Sequence, residues 1–278
     1  YSCVVVANAI EMSGNIPVFL DNEKNCFQPN PESYFNAIDK DTVMIIPTHL
    51  FGITQEFENE FKKIKMMYPN IFILQDCAHS FFCKDKKGNF VGKWGDGALF
   101  GMNISKLINS VKGGMLTLND TKLSEEIRKI FNNESIEFNS TYHSINSRLY
   151  VFLATFAFIP LIYKLVYMLI KKTNFLKKYT EYYDKNKVTL PNDFSKKNLK
   201  FNAKIGIKSF YNYERRLNFR KKLAKIYCSE LGNIKSIIIP SFNLGYTWSH
   251  FPIIVDIKKR NKIIKQLIEA GFEPGFIL

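Results

Sequence analysis

Two patterns of apolar and polar positions alternate along the first 120 residues. The runs PVFLD (17–21), TVMIIPTH (42–49) and NIFILQD (70–76) are short and apolar and predict strands. Between them, PESYFNAI (31–38) and EFENEFKKIKMMY (56–68) set apolar residues at helical spacing. Strand, helix and strand in repetition imply βαβ crossovers and a mostly parallel sheet, hence an α/β fold. GALFGMN (97–103) and GGMLTLN (113–119) then read as two strands with no long helix between them, bracketing Lys106. Downstream, FNAKIGIKSFYNYERRLNFRKKLAKIY (201–227) predicts one long basic helix. IIIPSF, FPIIVDI and KRNKIIKQLIEAGFEPG add strand and helix material for a smaller α+β domain. The expected division is a large domain over 1–125, a linker over 126–198 and a small domain over 199–278.

Reactive groups of an open parallel sheet collect outside the carboxyl ends of its strands. His49, Asp76 and the segment leading to Lys106 all fall at such ends. Asp76 closes the apolar run Ile71-Phe72-Ile73-Leu74-Gln75, where a carboxylate is costly unless a positive partner meets it. Read alone, Asp76 also suits a helix cap, Lys106 a solvated loop lysine, and His79 a hydrogen-bonded core histidine. Gly113 and Gly114 suit either a close backbone approach or a simple turn.

Composition narrows the setting. The 278 residues carry a formal charge of +14. Positions 164–225 hold 18 Lys and Arg against 4 Asp and Glu, leaving 21 of each sign elsewhere. One basic zone points to a local anionic partner. It lacks the compact aromatic platform of an RNA-binding module, so no nucleic acid is expected. Five cysteines without a CxxC pair or zinc spacing fit reduced thiols in the cytoplasm, and no metal site is expected. The opening, without Met, and the end at Leu278 read as those of a fragment.

Leu149 to Ile170 spans 22 residues with one charge, Lys164, and one proline, Pro160. As a straight helix it would reach ~33 Å, long enough for a bilayer. A single span would put the flanking domains on opposite faces. A hairpin or an in-plane helix on the inner face of a membrane, touching anionic headgroups through 149–172, fits better. A buried helix in a dimer interface or domain core is the other reading.

Six stretches occur in the order and near-spacing of one family: PVFLD, IIPTHLFG, QDCAHS, VGKWGDGALF, the ISK segment and KGGMLTLND. With FNAKIG onward, the chain resembles the DegT/DnrJ-type sugar aminotransferases, fold type I enzymes dependent on pyridoxal 5'-phosphate (PLP). The resemblance implies a PLP-binding large domain and a partial smaller C-terminal one. It sets Asp76 on the pyridine nitrogen, where a carboxylate keeps the ring protonated. Lys106 takes the place of the lysine that joins the cofactor and then shuttles the substrate proton. Some relatives carry His there and act as dehydratases. His79 matches the residue against the ring or its 3′-oxygen, and Ala78 leaves room for the ring to pack. His49 is read as mainly structural.

Gly101 stands where the family usually has a hydroxyl for the phosphate, with Asn103 and Ser105 as partial replacements. Ser195 stands where a partner's Asn would bind the phosphate. The resemblance further implies a homodimer, a nucleotide-linked keto-sugar substrate and glutamate as amine donor, for surface polysaccharide. A dehydratase relative and a non-catalytic, membrane-bound homologue stay open.

Overall fold

The computed structural model describes residues 2–134, 137–138, 141–157, 159, 162–163, 196–272 and 274–275. Helix α1 (Val4–Met12) leads into an extended stretch, then α2 (Pro31–Ala37), strand β1 (Met44–Ile45), α3 (Glu58–Met67) and β2 (Phe72–Asp76). Strands β3 (Gly97–Gly101) and β4 (Gly114–Leu118) follow, then α4 (Thr121–Glu134), β5 (Glu137–Phe138) and α5 (Thr141–Ala157). The remainder holds β6 (Lys196–Lys197), α6 (Lys200–Tyr211), α7 (Tyr213–Leu231), β7 (Ile237–Ile238), β8 (Ile254–Val255) and α8 (Ile257–Glu269).

The main sheet has the order β1-β2-β3-β4, with β1, β2 and β3 parallel and β4 antiparallel to β3. That is the mostly parallel α/β sheet the apolar pattern predicts. Local chemistry explains its helices. Asn30 caps α2 by accepting the Glu32 N–H at 2.9 Å, and Pro31 supplies the fixed φ of a first turn. Helix α3 buries Phe61 and Ile64 against Tyr34, Ile45, Ile73 and Trp94, closing one side of β1 and β2.

A second core joins distant parts of the chain: Phe51, Ile53, Cys77, Cys83 and Ala98 pack with Ala224, Tyr246 and Trp248. The C-terminal segment is thereby fastened to the strand ends that carry Asp76.

Two expectations need correction. PVFLD is not a strand: no described strand pairs with it, and Val18 and Phe19 remain 73% and 69% exposed. An apolar run without a hydrogen-bonding neighbour stays extended but unpaired. The basic helix is two helices, broken at Asn212, whose φ is −94° and ψ 3°. Arg216 reaches back to the carbonyl and hydroxyl of Ser209, and the Tyr213 hydroxyl donates to the Phe81 carbonyl. These tertiary bonds lie on either side of the break, in a stretch whose sequence has helical character throughout.

Of the apolar segment, residues 149–157, 159 and 162–163 are described and the others lie outside. No helix among the described residues is long and apolar enough to cross a membrane. Ser195 also lies outside the described residues.

Candidate active site

Asp76 ends β2 at the carboxyl edge of the parallel strands, 6% exposed. Its register is fixed from both sides. Asp76 N–H donates to the Pro47 carbonyl at 2.9 Å, His49 N–H donates to the Asp76 carbonyl at 3.0 Å, and Cys77 N–H donates to Leu99 at 2.8 Å. Oδ1 accepts the Ala78 N–H at 3.0 Å. Burial pushes the carboxyl upward from its ordinary range, while the Ala78 N–H, the Lys106 charge and the Thr48 side chain pull it back.

Lys106 lies on the loop joining β3 to β4. Leu107 and Ile108 bury beside Tyr213 and Leu217 of α7 and anchor that loop. Ser110 Oγ bonds the carbonyls of Met102 (3.0 Å) and Lys112 (2.8 Å), drawing its two ends together. Burial lowers the Lys106 pKa; Asp76 and Cys3 oppose the shift. Desolvation makes the Lys106 amine easier to deprotonate than that of an exposed lysine, which favours bond formation through its nitrogen. Cys3, at the start of α1, thus stands within electrostatic reach of the site.

Gly101 brings three predicted residues together. A Cβ added there would lie 3.2 Å from Ala78 Cβ and 3.3 Å from Lys106 Cε. Glycine and alanine therefore make a flat wall along the lysine stem, which a side chain at 101 would partly fill. Asn103 and Ser105 sit apart on the exposed turn ahead of Lys106, where Ser105 Oγ donates to Asn103 Oδ1 at 2.9 Å. Gly113 has φ +116°, and a Cβ there would meet Asn198 Nδ2 at 2.6 Å, so the close approach is to Asn198. Gly114 pairs with Gly101 across β3 and β4.

His79 is half-buried, and its Nδ1 accepts the Phe51 N–H at 3.3 Å. Burial first, then the Lys106 and His250 charges, lower its pKa to about 3, so the ring is neutral with its proton on Nε2. His49 is fully buried: Nδ1 accepts from Gln55 N–H and Nε2 meets Gln75 Oε1, both at 3.0 Å. It braces the strand ends beneath Asp76.

Sequence reading missed His250. Its ring lies 5.1 Å from that of His79, tilted by 34°. Arg220 of α7 holds the turn before it through the carbonyls of Trp248 (3.3 Å) and Ser249 (2.7 Å), and Thr247 Oγ1 donates to the His79 carbonyl at 2.9 Å. The stretch WSHFP has no spacing relation to QDCAHS, so only the folded chain reveals the pair. Among the described residues no His, Cys, Asp and Glu gather as a metal site.

A buried carboxylate, a partly desolvated lysine and a small-residue wall beside the lysine stem fit the pyridine ring of PLP. Asp76 would hold the ring nitrogen, Lys106 the reactive carbon, and Gly101 with Ala78 the space for the ring. The fit is at the ring end: position 101 has no hydroxyl to offer a phosphate.

Known proteins resemble the chain in sequence and in fold. The family model for DegT/DnrJ/EryC1/StrS aminotransferases matches residues 1–276. The uncharacterized protein MJ1066 of Methanocaldococcus jannaschii is 24% identical over 277 residues, 96% of this chain and 61% of that protein. GDP-perosamine synthase of Escherichia coli O157:H7 is 32% identical over 120 residues, 43% of this chain and 32% of the enzyme. The crystal structure of the aminotransferase TlmJ from Streptoalloteichus hindustanus superposes with a TM-score of 0.70 at 18% identity, covering 100% of this chain and 63% of that one. The chain thus spans at most 61% of these curated relatives and shares the fold of PLP-dependent aminotransferases of fold type I. With its motifs in order and the family model covering nearly every residue, the chain belongs to the DegT/DnrJ/EryC1/StrS aminotransferase family.

Proposed function

We propose that the whole protein is a PLP-dependent aminotransferase that moves an amino group from glutamate to a nucleotide-linked keto-sugar, working in the cytoplasm as a homodimer. The observation that carries this reading is the gathering of Lys106, Gly101 and Ala78 beside buried Asp76, with Asp76 and Lys106 close enough to influence each other's charge. When bound, PLP supplies an electron sink for charge developing at the substrate carbon. The chain's own groups do the rest. Asp76 would hold the ring nitrogen and favour its protonated form, the Lys106 amine would take and return the substrate proton, and neutral His79 would be the residue to pack against the ring. Asn103 and Ser105, on the exposed turn ahead of Lys106, would be the candidates to replace the missing hydroxyl toward the phosphate.

The substrate class is supported by the names of relatives. One is the perosamine synthase; another is the UDP-4-amino-4-deoxy-L-arabinose–oxoglutarate aminotransferase of Shewanella sediminis, 28% identical over 127 residues, 46% of this chain and 32% of that enzyme. Oxoglutarate in that name supports glutamate as donor. A lysine rather than histidine at position 106 favours transamination over dehydration.

The test is an absorbance spectrum of the intact protein with and without PLP, beside Lys106→Ala. A visible band that borohydride fixes covalently, absent from the variant, is expected. No band in excess PLP would overturn the reading in favour of a non-catalytic homologue. Product analysis on keto-sugar nucleotides, showing loss of water without gain of nitrogen, would instead identify a dehydratase.

Part of the apolar segment supports a second element of the proposal, contact with an anionic membrane face through 149–172. On α5, Leu149, Phe152, Leu153 and Phe156 are all exposed, beside the basic zone of the chain. Flotation with vesicles of anionic lipid, and its loss when Phe152 and Phe156 become Asp, is the expected result. Equal flotation of both forms would exclude this contact.

A further inference from the structure

Asp76 has a neighbour that the family resemblance does not assign. Thr48 pairs with Asp76 in a parallel bridge just beyond the end of β1. The backbone bonds on either side, Asp76 N–H to Pro47 and His49 N–H to Asp76, fix this register. Paired residues of neighbouring strands project from the same face, so the two side chains stand together. So placed, the Thr48 side chain favours the charged carboxylate and pulls its pKa down against the rise that burial causes.

The segment holding Thr48 is immobilised by buried polar groups. Gln55 Nε2 donates to the Thr48 carbonyl at 2.8 Å, and the Gln55 N–H donates to His49 Nδ1 at 3.0 Å. Ser80 Oγ donates to the His49 carbonyl at 2.6 Å. His49, Gln55, Gln75 and Ser80 are all buried. Four buried polar side chains, hydrogen-bonded to one another and to the backbone around them, make a rigid support. Its product is a threonine hydroxyl set beside the one buried carboxylate of the site.

We infer that Thr48 is a positioning residue for Asp76: its hydroxyl and the Ala78 N–H together fix the rotation of the carboxylate and keep it ionised where the cofactor's ring nitrogen lies. The inference rests on the reading that Asp76 meets that nitrogen. A carboxylate in a buried site loses hydration, and each donor aimed at it replaces part of that loss. Lys106 and Cys77 are the other titratable groups that influence Asp76. Lys106 acts as a charge, and the neutral Cys77 thiol is a weak donor packed in the apolar core, so neither substitutes for the hydroxyl.

Thr48→Val keeps the shape of the side chain and removes only the hydroxyl; Thr48→Ser keeps the hydroxyl. In cofactor-free protein labelled with 13C at aspartate carboxyls, the resonance missing from Asp76→Asn reports Asp76. The expected result is a titration moved upward in Thr48→Val and restored in Thr48→Ser. With PLP added, Thr48→Val should bind about tenfold more weakly, the scale of losing one hydrogen bond to a charged group. An unmoved Asp76 titration in Thr48→Val would overturn the inference, as would an equal shift in Thr48→Ser. A moved titration with unchanged PLP affinity would uphold the Thr48–Asp76 link and overturn the assignment of Asp76 to the ring.

Discussion

A methyl group on Gly52 would sit 2.1 Å from Thr247 Oγ1 and 2.9 Å from the backbone nitrogens of Trp248 and Ser249. The turn after His49 and the turn before His250 are therefore pressed backbone to backbone. Thr247 N–H donates to the Gly52 carbonyl at 3.0 Å and His250 N–H to that of Phe51 at 3.3 Å. Gly52 meets this demand with φ +78°, a conformation that costs a side-chain-bearing residue energy. Gly52→Ala should destabilise the protein by about 2–4 kcal/mol, combining backbone strain with overpacking. Chemical denaturation checks it; a loss within a few tenths would mean that the two turns separate easily.

The Lys106 amine should become reactive at lower pH than ordinary surface lysines. Burial lowers its pKa and Asp76 holds it partly up. Trapping of PLP on Lys106 by borohydride, followed across pH by mass spectrometry, should show a midpoint below that of exposed lysines. Asp76→Asn removes the opposing charge and should move that midpoint lower still.

Acid should weaken the fold through His49. Burial lowers its pKa from 6.5 to about 4. A group with a depressed folded pKa contributes stability that is present above its unfolded pKa and lost as pH falls through its folded one. The loss therefore runs from about pH 6.5 down to about pH 4 and amounts to about 3 kcal/mol. His49→Gln should be less stable at pH 7 and show a flatter dependence in that window. Denaturation midpoints at pH 7 and pH 5 decide it.

Gly206 of α6 allows the helix to approach the lysine loop: a Cβ there would lie 3.1 Å from Ser110 Cβ. Gly206→Ala gains about 1 kcal/mol of helix propensity, which offsets the crowding, so stability should barely change. Gly206→Leu has no room and should cost about 1–3 kcal/mol. Because Ser110 ties Met102 to Lys112, the leucine variant should also lose PLP affinity, measured by the visible band.

How much of this was legible beforehand varies by residue. Asp76, Ala78 and His79 stand together in QDCAHS, and Lys106 lies between two recognisable strands, so both could be named without coordinates. The single helix read over 201–227 failed because every residue around Asn212 tolerates a helix; the break comes from the Tyr213 hydroxyl reaching Phe81. PVFLD failed for the opposite reason, since its apolar side chains suit a strand that finds no partner.

By itself, the sequence determined the elements whose causes are local. These are the capped helix at Asn30, the amphipathic α3, the apolar run that delivers Asp76 to a strand end, and the order of motifs that marks the family. The tertiary structure alone decided that Thr48 meets Asp76, that His250 faces His79, and that Gly52 admits Thr247. The bond from Thr247 to His79 joins positions 168 residues apart. Hydrophobic periodicity carries information over a few turns of chain, whereas such contacts depend on how packed cores bring separate turns to the same point.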